Sequence, residues 1–139
     1  MENGDISFFR GFILSFTFPF IVLIFHVVFS SLGFYYIYWW FDIPMHFLGG
    51  FSIGITSSFL LSLFQKKQYL GKINFLLGII FVVSMVSLTA VGWEFFEFLM
   101  SNLYHLNLQP SLNDTLADLF FGIFGGIIAG LIFSNKIKH

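Results

Sequence analysis

Residues 73–100 read INFLLGIIFVVSMVSLTAVGWEFFEFLM. From Phe75 to Trp93 the stretch carries no ionisable side chain, while Lys72 stands before it and Glu94 and Glu97 lie near its far end. A helix crossing a bilayer core of roughly 30 Å needs about 20 mostly apolar residues. Such a segment must be helical or part of a closed barrel, because hydrocarbon offers no partner for a free backbone N–H or C=O. The stretch predicts a transmembrane helix with one basic and one acidic end.

Three other segments pass the same test, at about residues 8–32, 43–64 and 114–135. The first contains Pro19 and His26, and a proline is tolerated in such a helix and can kink it. It is longer than the apolar core of a signal peptide and no small-x-small cleavage pattern follows, so it reads as a retained span. Together the four segments predict a single all-α domain over residues 1–139, an integral membrane bundle of four transmembrane helices. Composition agrees. Hydrophobic residues make up 58% and charged residues 9%, against about 45–50% and about 25% in ordinary globular chains. A soluble fold needs more charged surface than that to stay dissolved.

Lys and Arg collect on the cytoplasmic side of membrane proteins. Arg10 precedes the first span, Lys66, Lys67 and Lys72 lie between the second and third, and Lys136 and Lys138 follow the fourth. The remaining connections, residues 33–42 and 101–113, contain neither residue type. The reading is N-in/C-in: a multi-pass protein of the cell membrane with both termini cytoplasmic. The aromatic run 34–41, FYYIYWWF, then falls at the outer surface as an interfacial belt.

Several function classes drop out. With no cysteine, a disulfide framework, a thiolate metal site and a cysteine nucleophile are excluded. Six Lys and Arg without a clustered basic face exclude nucleic acid as a partner. Small residues recur every four positions at Gly50, Gly54, Ser58 and Ser62, and at Gly122, Gly126 and Gly130. They mark faces where helix backbones approach closely.

The acids carry the chemistry. Apart from Glu2 and Asp5 in the N-terminal tail, all of them, Asp42, Glu94, Glu97, Asp114 and Asp118, lie at the outer ends of the second to fourth spans. Counting about 1.5 Å per residue from Lys66, Lys72 and Lys136 puts His46, Glu94, Asp114 and Asp118 roughly 27–33 Å away, in one layer. Asp42 and His46 are four apart, as are Asp114 and Asp118, and Glu94 and Glu97 are three apart, so each pair shares a helix face. Those faces continue inward into the small-residue stripes, which predicts that they meet. With no Lys or Arg on that side, a bound cation, shared protons or ordered water must balance the layer.

Some of these residues have plain structural readings. Asp42 before Ile43-Pro44 can cap the second helix, and Ser111 with Asp114 resembles a capping box. His26 reads as a satisfied buried histidine. His105 reads as a solvated loop residue within reach of the layer, and Asn102, Asn107 and Gln109 as turn chemistry. Glu94 and Glu97 oppose the macrodipole at a helix C-terminus, which no capping role explains. Jointly, one histidine and several carboxylates from separate helices resemble a metal site in a helix bundle. The predicted ligands are Asp42, His46, Asp114 and Asp118, with Glu94 and Glu97 as candidate catalytic bases. The donor set suits Zn, Mn, Fe or Mg, and Ca if oxygen ligands dominate.

The order Asp42-x3-His46, Glu94-x2-Glu97, Asp114-x3-Asp118-x3-Gly122-x3-Gly126 resembles VanZ-like membrane proteins, and also small bacterial inner-membrane proteins of unknown function. The likeness covers roughly residues 42–132. Ile43 stands where the VanZ-like pattern has Lys, Glu97 where it favours Gln, and Asp118 where it favours Asn; an Arg before the last helix is missing. The resemblance implies a cell-envelope role linked to glycopeptide resistance, without a mechanism, and the extra acids favour a cation. Three functions are expected to compete. The first is a metal-dependent hydrolase or transferase acting on a membrane lipid or lipid-linked envelope molecule. The second is an ion- or proton-conducting homo-oligomer. The third is a non-catalytic component whose polar cluster locks the bundle or binds a partner.

Overall fold

A computed structural model describes residues 2–133, with side chains from Phe8 onward. Lys136, Lys138, the last residues of the fourth predicted span, and the side chains of Glu2 and Asp5 lie outside the described residues. The described residues form six helices: α1 (Glu2–Ser15), α2 (Thr17–Ser31), α3 (Phe34–Ile37), α4 (Asp42–Lys66), α5 (Phe75–Tyr104) and α6 (Leu112–Phe133). Four segments are long and apolar enough to cross a membrane: Phe8–Ser31, Asp42–Lys66, Phe75–Tyr104 and Leu112–Phe133. The predicted all-α bundle of four spans is what the chain forms, and it is an integral, multi-pass membrane protein.

The first span is broken at Phe16, between α1 and α2, and Pro19 is the cause. Its ring nitrogen carries no hydrogen, so the carbonyl of Ser15, four residues earlier, loses its helical donor. Thr56 of α4 replaces that donor, its hydroxyl giving a 2.8 Å bond to the Ser15 carbonyl. The kink is held from across the bundle.

Helix α4 is the hub. It packs most intimately on α6 and also touches α5, α2 and α1, while α2 and α5 barely meet. Small and hydroxylated side chains make up most of the core, with Met45, Leu61, Val82 and Val86 the larger apolar residues buried among them. Gly50, Ser52, Gly54, Thr56, Ser57 and Ser58 of α4 are buried, as are Gly122, Gly125, Gly126, Ala129 and Gly130 of α6. Large apolar residues such as Phe20, Leu76 and Phe120 face outward. Lipid is as apolar as leucine, so bundle helices gain by close backbone packing rather than by hiding bulk. A Cβ on Gly50 would fall on the Gly122 carbonyl, and one on Gly54 would lie 2.7 Å from the Ala129 methyl. The predicted small-residue faces do meet.

Basic and acidic groups separate to opposite ends. The Phe8 ring contacts Phe64 and Tyr69 at 6.1 and 5.9 Å, which sets the start of the first span beside the end of α4. Arg10, Lys66 and Lys67 therefore share one end of the bundle, and Lys67 sits over the Phe8 ring. The aromatic run divides. Phe34, Tyr35 and Phe41 pack inward, Phe34 and Phe41 against Phe29 with centroids 4.9 and 5.0 Å away, whereas Trp39 is 84% exposed as an interfacial residue would be.

Two expected boundaries change. Helix α4 starts at Asp42 itself, and the residue before it, Phe41, makes no side-chain cap. Asp42 therefore does not cap the helix; its carboxylate turns to His46 instead. Helix α5 runs beyond Met100 to Tyr104 and stops where His105 adopts a left-handed φ of 55°.

Candidate functional site

His46 lies at the centre of the acidic end. From the second turn of α4 its Nε2 is 3.2 Å from the Asp42 carboxylate, one turn back, and 3.7 Å from that of Asp118 on α6. Glu94 and Glu97 approach the same imidazole from α5. Within each trio, Asp42–His46–Asp118 and His46–Glu94–Glu97, the donor atoms all lie within 4.8 Å of one another. Three helices thus bring four carboxylates to one histidine. Asp118, Glu94 and Glu97 are 3%, 7% and 6% exposed.

Local geometry explains the convergence. The i, i+4 spacing puts Asp42 and His46 on one face, and long side chains lean toward the helix N-terminus, so the imidazole reaches back to Asp42. Gly50 and Gly122 follow His46 and Asp118 by one turn each and let α4 and α6 close up. Ala90 precedes Glu94 by one turn, and its methyl sits 3.7 Å from a Cβ placed at Gly122.

Few donors serve these acids. Gln109, from the loop before α6, gives its amide N–H to the Glu94 carboxylate at 2.7 Å and to the Glu94 carbonyl at 2.9 Å. Trp93 donates its indole N–H to the Glu97 carboxylate at 2.8 Å. An ionised carboxylate accepts about four hydrogen bonds. Among the described residues no Lys or Arg side chain lies at this end of the bundle, so unused acceptor capacity surrounds a single imidazole. Such an arrangement can hold a divalent cation or share protons.

Other predicted residues fall outside these trios. Asp114 is half-buried one turn beyond Asp118; its backbone N–H donates to the Ser111 hydroxyl at 3.2 Å, the expected first bond of a capping box. His105 is exposed at the end of α5. His26 on α2 is satisfied as expected, its Nδ1 sharing a 2.6 Å hydrogen bond with the Tyr35 hydroxyl. Burial of Tyr35, with Asp42 nearby, pushes its phenol pKa well above the usual tyrosine value. The His26 ring also stands edge-on to Trp93 at 5.1 Å, joining α2 to α5.

Gln109 is more than the turn chemistry expected of it, since it donates to Glu94 across 15 residues, a separation with no local signal. Trp93 is a participant that the spacing could have shown, since it precedes Glu97 by one helical turn. Directly beneath the cluster lies a cavity of about 230 Å³ between α2, α4, α5 and α6, with His26, His46 and Trp93 at one end.

No curated protein and no solved structure matches the chain. A family match does exist, and it covers residues 8–139. It bears out the likeness to small membrane proteins without an assigned function, but it is not a match to the VanZ-like proteins, whose likeness remains one of motif order. The chain belongs to the family described as "Predicted membrane protein (DUF2238)".

Proposed function

We propose that this membrane protein holds a divalent cation at His46 and its neighbouring carboxylates, on the extracytoplasmic side, and acts there on a lipid or lipid-linked molecule of the cell envelope. One observation carries the reading: a single imidazole is within reach of four buried or half-buried carboxylates from three helices, with no basic side chain among the described residues to balance them. The donor set fits an ion. Ligands about 2.0–2.2 Å from one metal stand roughly 3–3.5 Å apart, close to the 3.2 and 3.7 Å separations around His46 Nε2. One nitrogen with several oxygens suits Zn, Mn, Fe or Mg.

Asp42, His46 and Asp118 would hold the ion, and Asp114, one turn farther out, would orient water or substrate at the mouth. Bound there, a divalent cation supplies Lewis acidity and lowers the pKa of water. Glu97, held by the Trp93 indole, and Glu94, held by Gln109, face the same imidazole and are placed to take a proton as general bases in a hydrolase or transferase. The Arg10, Lys66 and Lys67 end would face the cytoplasm by the positive-inside rule, which supports both the outward site and cytoplasmic termini.

The test is direct. Protein purified in detergent is equilibrated with Zn²⁺ or Mn²⁺, desalted and assayed for bound metal, beside His46→Ala and Asp118→Asn. About one ion per chain in the wild type, lost in His46→Ala, is expected from a site of this kind. Wild-type protein that holds no metal, and melts at the same temperature with chelator or added ion, overturns the proposal.

A second reading has its own support. The Gln109–Glu94 bonds, which tie the loop before α6 to α5, are what a non-catalytic, VanZ-like envelope component would use to lock its bundle. In that case Glu94→Gln leaves function intact, whereas under metal-dependent chemistry it does not. The conducting oligomer draws less support, because the cavity leading inward from His46 is lined mainly by apolar side chains.

A further inference from the structure

The cavity under the cluster has a shape as well as a volume. Its walls run from Pro19 to His26 on α2, from His46 to Ile53 on α4, and from Val86 to Trp93 on α5. Each wall covers about seven residues, or roughly 10 Å of helix, so the void is a slot parallel to the spans. A void of about 230 Å³ along that length has room for a hydrocarbon chain lying parallel to the spans.

Its lining is graded. Pro19, Val22, Leu23, Ile53 and Val86 form the deep part, and His26, His46 and Trp93 the upper end. The hydroxyls of Ser52 and Thr89 are turned away, each donating to a carbonyl of its own helix at 2.8 Å, so they leave the walls apolar. No hydrogen bond reaches His26 Nε2 among the described residues, and it remains available at the polar end. Between α2 and α5 the backbones stay apart, and the two helices meet through the His26–Trp93 ring contact at the upper end. Within the bilayer, the medium beside that seam is lipid.

We propose that the slot takes one acyl chain of a membrane phospholipid, entering sideways between α2 and α5. The polar part of that lipid then lies beside His26 and His46. This deepens the lipid reading above by naming the ligand class and its seat, and it rests on that reading only for the role of the bound lipid. Cation binding is separate.

Gly49 makes the proposal testable. It lines the slot, and a Cβ added there meets nothing within 4 Å. Gly49→Leu therefore extends a side chain into the slot from an open Cβ position. Gly92→Leu is the matched control, since Gly92 is exposed, has equal free space and lies off the slot. Ala90→Leu fills the slot from the opposite wall, should Gly49→Leu fail to fold.

Each protein is placed in nanodiscs of phosphatidylcholine with brominated acyl chains, in a Trp39→Phe/Trp40→Phe background that leaves Trp93 as the fluorophore. Native mass spectrometry from mild detergent counts retained lipid in parallel. The expected result is quenching of Trp93 and one retained phospholipid in the parent and in Gly92→Leu, both lost in Gly49→Leu or Ala90→Leu. Equal quenching and equal lipid retention in all folded variants, or no retained lipid in the parent, overturns the proposal. Bound metal assayed on the same samples keeps the two readings apart: a slot variant that loses lipid but keeps metal supports the seat whatever the cation does.

Discussion

Adjacent glycines on α4 give the sharpest test of how this bundle is built. Gly49 faces the slot, where a new methyl meets nothing; Gly50 faces α6, where it would fall on the Gly122 carbonyl and come within 2.8 Å of the Gly122 Cα. Alanine is favoured over glycine in a helix by about 0.5–1 kcal/mol, so Gly49→Ala should be neutral or stabilising. Gly50→Ala has the same propensity gain, but carbon atoms rest about 3.5–4.0 Å apart, and the Gly122 carbonyl lies nearer than its Cα, so α4 and α6 must move apart by more than about 1 Å. Overpacking of that kind costs about 1–3 kcal/mol, and backbone does not yield as a flexible side chain does. The propensity gain cancels between the two variants, which should differ by the overpacking cost of about 1–3 kcal/mol. The same displacement, one turn from the cluster, stretches the 3.7 Å His46–Asp118 separation out of bridging range. Thermal unfolding followed by circular dichroism in one detergent, with bound metal measured on each protein, reads both effects. If Gly50→Ala melts at or above Gly49→Ala, the close contact does not hold the bundle. If it melts lower yet keeps wild-type metal content, the contact does not position the site.

Two further perturbations probe other links. Thr56→Val should destabilise by about 0.6–1.7 kcal/mol, because the Ser15 carbonyl freed by Pro19 loses its donor; in a Pro19→Ala background, where a backbone N–H returns, the cost should shrink, and equal costs in both backgrounds refute the account of the kink. Cation affinity at the cluster should fall as pH drops and rise as pH increases, since protons compete with metal for the imidazole and carboxylates. A flat binding profile from about pH 5 to 8, the range over which imidazole ordinarily titrates, would show that His46 is not a ligand.

The sequence makes some of this architecture legible and hides the rest for identifiable reasons. The four spans follow from hydropathy because the bilayer imposes both length and backbone pairing. The convergence of Asp42, His46, Glu94, Glu97 and Asp118 follows from the union of acid and small-residue stripes on shared faces, both of which are local patterns. Asp114 shows the limit of that logic. It shares a face with Asp118 but falls outside the trios around His46, and its backbone N–H bonds the Ser111 hydroxyl. For Asp42 the capping alternative falls away, because α4 begins at that residue and its carboxylate turns to His46 one turn on. The Thr56–Ser15 bond spans 41 residues and the Gln109–Glu94 bond 15. Neither has a periodic signature, so only folding brings them together.

Side-chain length in the cluster tracks helix spacing. Between α4 and α6 glycine faces glycine, with Gly125 so near the Phe47 carbonyl that a methyl there would overlap it, and the acid facing His46 across that contact is the short one, Asp118. Helix α5 packs less intimately on α4 than α6 does, and it is α5 that presents glutamates to His46. Asp42 needs no such reach because it shares a helix with His46. The extra methylene of Glu94 and Glu97 offsets the greater distance, so acids from helices at unequal spacing meet one imidazole. Two otherwise unrelated features of the chain then have one cause. The small residues fix the spacing, the spacing selects Asp or Glu, and a change in either moves the donor atoms by the length of one carbon–carbon bond or more.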